Sequence, residues 1–184
     1  MMRNKIIIRF CGLAVAVLAA VWLWPSVRPM RKGFDPKQNA LPTDARKVLE
    51  TGERFILLSL DNLPMMGGTS ASPPRELFNG YGVLGRAEIR NAEERTELLR
   101  ALYKGIAGSD GSVNSCFHPR HGISATLGGE AVDLVICFEC LQIQTFTNHG
   151  EGVLAPSAPV LTTRSPQRTF NRALKRARLP VAKD

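Results

Sequence analysis

The sequence predicts an α+β fold: an antiparallel sheet with helices packed on one face, behind an N-terminal transmembrane helix. Three observations lead there. Gly128-Gly129 separates two apolar runs at the spacing of a tight hairpin. Residues 91–106 join a helix-start signal to apolar residues at helical spacing. Phe10 to Trp24 carries no charge at all.

In chain order, Ile6 to Trp24 gives 19 residues with only Arg9 charged. A bilayer-crossing helix needs about 20 apolar residues, and an arginine near one end can snorkel. Trp22 and Trp24 fall where an interfacial aromatic belt would lie. No small-residue cleavage site follows, so residues 1–24 read as an uncleaved signal-anchor rather than a cleaved signal peptide. Basic residues flank both ends of the run, so the positive-inside rule is silent on orientation. The short N-terminal tail favours a single-pass protein with its C-terminal domain extracytoplasmic. Residues 25–40, with proline and basic residues, read as a juxtamembrane linker, and residues 41–184 as one α+β domain.

Within that domain Thr43 is a plausible cap for a short helix that Gly52 stops. Arg54 to Leu60 has the length and apolarity of a strand, and 62–74 reads as a loop. Tyr81 to Ile89 is a strand weakened by Gly82 and Gly85, consistent with a bulge. Asn91 and Glu94 form a capping-box pair, and Leu98, Leu99, Leu102, Tyr103 and Ile106 share a helix face that Gly105 and Gly108 end. Two strands flank Gly128-Gly129, and a third runs from Gln142 to Thr147. A loop leads to a last helix with Ser165 as cap, Pro166 at its first position and Pro180 beyond its end.

The residues that carry chemistry cluster around the hairpin. Cys116-Phe-His118-Pro-Arg-His121 precedes it and Cys137-Phe-Glu-Cys140 follows it. If Leu127 pairs with Glu130, Ile123 faces Leu134 and Ala125 faces Val132 on the core side with Ile136, Phe138 and Cys140. Ser124, Asp133 and Cys137 then fall on the other face. Cys137 and Cys140 converge only if the strand breaks into a turn. Several readings of the cluster stand side by side. Three thiols and an imidazole suit tetrahedral zinc, drawn from Cys116, His118, His121, Cys137 and Cys140. Outside the cytoplasm a disulfide is the usual fate of paired thiols. Buried cysteines also serve as small hydrophobes. A Cys137–His118–Asp133 grouping would activate a thiol. Haem attachment is excluded, because Leu141 rather than histidine follows Cys140. Arg120-His121-Gly122 matches the histidine-phosphatase tripeptide, but it lies too far along the chain for the rest of that machinery.

The blocks Cys-Phe-x-Pro-Arg-His-Gly-Ile and Ile-Cys-Phe-Glu-Cys resemble those of small uncharacterised bacterial proteins that are exported or membrane-anchored. The resemblance covers roughly residues 95–180. It implies a shared fold and a shared Cys/His site, and brings no activity with it.

Charge bounds the partners. Residues 1–40 and 164–184 each hold seven basic residues and one acidic, whereas 41–163 holds 10 basic and 14 acidic. An acidic domain with basic ends argues against nucleic acid, which would call for a basic stripe with interleaved aromatics. Contacts with the membrane are expected through the N-terminal helix and, at anionic lipid, through the basic C-terminal helix. The function these features suggest is an envelope-facing binding or interaction domain with a structural Cys/His site. The alternative is a thiol-dependent redox or hydrolytic enzyme using Cys137, Cys140 and His118.

Overall fold

The hairpin around Gly128-Gly129 organises the molecule. Both glycines have positive φ, 55° and 93°, as a two-residue turn matched to strand twist requires. In the computed structural model, which describes residues 31–61, 76–148 and 154–181, this turn joins β4 (His121–Leu127) to β5 (Glu130–Cys137). Leu127 pairs with Glu130, Ile123 with Leu134 and Ala125 with Val132, so the expected register holds along the whole hairpin.

Around this centre the remaining strands assemble antiparallel. They are β1 (Arg54–Asp61), β2 (Leu77–Phe78), β3 (Tyr81–Glu88), β6 (Gln142–Thr147), β7 (Ala155–Pro156) and β8 (Val160–Leu161). The order is β2-β3-β1-β4-β5-β6-β7, with β8 also on β6. Ser59 pairs with Gly85 but Leu60 with Val83, which leaves Leu84 as an extra residue in β3. That bulge adds twist to a sheet that already coils.

Three helices pack on one face: α1 (Thr43–Thr51), α2 (Ala92–Ala107) and α3 (Gln167–Arg176). Their apolar stripes (Val48 and Leu49; Leu98 and Leu102; Phe170 and Leu174) meet Phe55, Leu57, Ile123, Leu134 and Ile136 in the main core. Asn91 caps α2 as expected, its Oδ1 accepting from Glu94 N at 3.0 Å. Gly105 does not end that helix. It lies inside α2, where an added Cβ would stand 2.5 Å from Pro166 Cγ, so its role is close approach to the start of α3. Ser165 does not cap α3; its hydroxyl and N–H bond to Thr163 Oγ1. A smaller cluster on the other face joins Leu58, Leu60 and Val135 to partly buried Phe78, Tyr81 and Phe117.

The predicted fold class needs correction. The described residues form an eight-stranded antiparallel half-barrel with three helices. Among the described residues no helix is long and apolar enough to cross a membrane. The transmembrane helix expected over 1–24 falls on residues outside those described. Periodicity reads each element singly; curvature arises when the twist of neighbouring strands accumulates across a bulged sheet. Residues 31–40, expected within a linker, instead dock on the domain. Asn39 Nδ2 donates to the carbonyls of Ile106 and Leu161, and Asn39 Oδ1 accepts from Leu161 N.

Candidate thiol–disulfide site

The strand β5 ends at Cys137, and the chain turns through Phe138, Glu139 and Cys140 before β6 begins. Neither glycine nor proline makes this turn. Leu141 adopts a left-handed φ of 61°, a conformation that costs a leucine about 1 kcal/mol or more. The turn brings Cys140 back over Cys137, and the two form a disulfide with Cα atoms 5.2 Å apart. Cys140 N also donates to Cys137 Sγ at 3.1 Å. Both cysteines are buried, at 1% and 0% exposure.

The segment before β4 is stitched onto this turn. Asn114 N donates to Cys140 O at 3.2 Å, and Asn114 Nδ2 donates to Glu139 O at 2.6 Å. Gln142 Nε2 returns a bond to Asn114 O at 3.2 Å, and Arg120 pairs with Glu139 at 3.6 Å. His118 N donates to Cys140 Sγ at 3.3 Å. The consequence is chemical: Cys116 Sγ lies 3.4 Å from Cys140 Sγ. Among the described residues Cys116 is the free cysteine, and it is half-buried, whereas the bonded pair is buried.

The histidines part company with the sulfurs. The His118 side chain is exposed. His121, 2% exposed, points to the helix side of the sheet. Its ring stacks with Phe138 at 5.1 Å and Phe170 at 5.8 Å, and those two rings meet at 5.2 Å. Its Nε2–H donates to Asn171 Oδ1 at 2.7 Å. Burial pushes its pKa down to about 4, and the nearby Arg120 charge acts the same way, against the opposing bond to Asn171.

The expected metal set Cys116, His118, His121, Cys137 and Cys140 is therefore divided: the three sulfurs meet, and His121 joins an aromatic box. Two of the sulfurs are bonded to each other and do not serve as thiolate ligands in this state. Among the described residues no group of three or more His, Cys, Asp or Glu side chains is placed to hold an ion. Asp133, expected beside His118 and Cys137, is engaged elsewhere. It accepts from Asn79 Nδ2 at 2.8 Å and bonds to Ser124, and burial raises its pKa.

Sequence reasoning missed five residues that build the site and its surroundings. Asn79-Gly80, with φ of 49° and 90°, closes the β2–β3 hairpin and latches it to Asp133. Asn-Gly is a strong hairpin signal, hidden here because β2 spans only two residues. Asn114, Leu141 and Asn171 gave no such signal.

A second concavity lies between α1, α2 and the ends of β1 and β3. It is a groove of about 920 Å³ floored by Phe55, Ile89, Leu99 and Tyr103. Arg95 spans one wall, donating Nε to Leu49 O at 2.8 Å and Nη1 to Gly52 O at 2.7 Å, with its guanidinium 5.0 Å over the Phe55 ring. It thereby caps the carbonyl end of α1. No protein-family model, curated protein or solved structure matches this chain.

Proposed function

We propose that the protein is a thiol–disulfide exchange module, with Cys116 as the entry thiol and Cys137–Cys140 as the exchangeable pair. The carrying observation is the 3.4 Å separation of Cys116 Sγ and Cys140 Sγ. The Cys116 thiolate attacks Cys140 Sγ. The Cys116–Cys140 bond forms, the Cys140–Cys137 bond breaks, and Cys137 leaves as a thiolate that takes a proton from solvent. No electrons are gained or lost in this step.

The new disulfide places the half-buried Cys116 at its outer end, in place of a fully buried pair. A partner dithiol attacks there, releases the Cys140 thiolate, and closes its own disulfide by a second attack that frees Cys116. The sum is oxidation of one dithiol and reduction of one protein disulfide. Such a cycle suits an oxidising compartment, which agrees with the extracytoplasmic placement expected from sequence.

The test uses the full chain with Cys11→Ser, so that one thiol remains in the oxidised protein. After incubation at mildly alkaline pH, acid quenching and alkylation, peptide mapping locates that thiol. Label divided between Cys116 and Cys137 is the expected result. Label confined to Cys116 at all times would overturn the proposal. Reduction of the pair by dithiothreitol should slow about tenfold or more in Cys116→Ala, because a placed nucleophile replaces a bimolecular encounter.

A second reading, favoured by the groove between α1 and α2, is a binding domain in which the disulfide only pins the β5–β6 turn. It requires equal reduction rates in the wild type and Cys116→Ala. Zinc belongs to this reading through the reduced thiols with His118; stoichiometric zinc in the reduced chain, lost together with folding on chelation, would support it.

A further inference from the structure

The helix α3 is one-sided. Phe170, Ala173 and Leu174 are fully buried, so every cation on the helix faces outward. No acidic residue occurs from Gly152 to Ala182. Arg172 and Arg176 reach Glu97 and Glu94 on α2 and still remain 60% and 48% exposed. Arg164, Arg168, Lys175 and Arg178 make no ion pair among the described residues, and all four are exposed. At 1.5 Å per residue, positions 168 to 178 spread charge over about 15 Å.

A second segment with exposed cations is tied to β8, the strand that precedes α3 in the chain. Arg31, Lys32 and Lys37 are exposed, and Asn39 ties their segment to Leu161, just before α3, at 3.0 Å and 2.6 Å. Two basic stretches more than 120 residues apart in sequence are thus held together by the fold. Arg31 is fixed as well, its N–H donating to Asp110 O at 2.8 Å.

We infer that this surface docks on an anionic phospholipid bilayer. A shallow array of arginines and lysines on one helix flank complements a plane of phosphates, with Arg164, Arg168, Lys175 and Arg178 exposed to meet headgroups. Nucleic acid fits less well. The outward face of α3 presents no aromatic for stacking on bases, its one aromatic, Phe170, being wholly buried. The inference is independent of the sulfur chemistry.

The experiment measures partitioning of the full chain onto vesicles of phosphatidylcholine alone and of phosphatidylcholine mixed with phosphatidylglycerol. The readout is the gain in binding caused by the anionic lipid. That gain should fall about fivefold for each cation removed, so roughly 25-fold in Arg168→Gln/Lys175→Gln and similarly in Arg31→Gln/Lys32→Gln. It should also shrink as salt rises from ~50 mM to ~500 mM. Because these side chains are exposed, thermal unfolding of each variant should match the wild type and so separates lost binding from lost folding. An unchanged gain in both double variants would overturn the inference. So would tighter binding to a DNA duplex than to the anionic vesicles at equal salt, lost in the same variants.

Discussion

The two sides of the sheet treat one short Cys/His-rich stretch in opposite ways. On the helix side, His121 is enclosed by Phe138, Phe170 and Asn171, and its proton is held in one hydrogen bond. At the β5–β6 turn three sulfurs are crowded together, one of them in a half-buried free cysteine. The first arrangement spends its polar group on packing. The second leaves a free cysteine beside a disulfide. Residues of a type that bind metals or catalyse reactions have therefore been separated by the strand pleat and the β5–β6 turn into a packed histidine and a cluster of sulfurs, and residue type alone does not tell which is which.

The largest test of this contrast is pH. The folded state holds His121 neutral with a pKa of about 4, whereas an unfolded chain titrates near 6.5. Between those values the unfolded state binds more protons, so stability is complete above pH ~6.5 and falls as pH drops toward 4, by on the order of 3 kcal/mol. Denaturant titrations from neutral to acid pH should show this loss, and His121→Gln should flatten it. A wild-type profile that is flat over that range would mean His121 is not enclosed.

Removing the partner comes next. Asn171→Ala leaves the buried imidazole N–H unsatisfied and should cost about 2 kcal/mol in chemical denaturation. Cutting the disulfide acts on a loop of only a few residues. The chain-entropy relation gives about 2 kcal/mol or slightly less for Cys137→Ser/Cys140→Ser. The smallest effect should belong to Cys116→Ala, roughly 1 kcal/mol or less because the side chain is small and half-buried, although that substitution should abolish the proposed exchange. A large loss of stability in Cys116→Ala would erase the distinction between the two sides and place Cys116 among the packing residues.

Much of the helix side was legible from the chain itself. Strict alternation around Gly128-Gly129 leaves one register that buries Ile123, Leu134 and Ile136 together, and Asn91 with Glu94 marks the start of α2 without ambiguity. The same alternation puts Cys137 and Cys140 on opposite faces, and only a turn changes that. The turn rests on Leu141 in a left-handed conformation, which propensity assigns to glycine or asparagine. Arg178, with φ 56° after α3, repeats the lesson. It stands at the helix C′ position, where Leu179 N bonds back to Leu174 O at 2.9 Å and Leu179 packs on the core.

What the sequence by itself determined was the longer amphipathic segments and the capped start of α2, because those depend on the period of apolar residues and on side chains within a turn of one another. What only the tertiary structure decided was the curl of the sheet, the docking of residues 31–40, the capping of α1 by Arg95, and the meeting of Cys116 with Cys140. Each of these joins groups far apart in the chain, or strains a residue locally for a gain collected elsewhere. Asn114 on Glu139, Asn39 on Leu161 and Asn171 on His121 are polar side chains that a sequence leaves without an address. Their partners are backbone and ring groups that come within reach only after the core has closed.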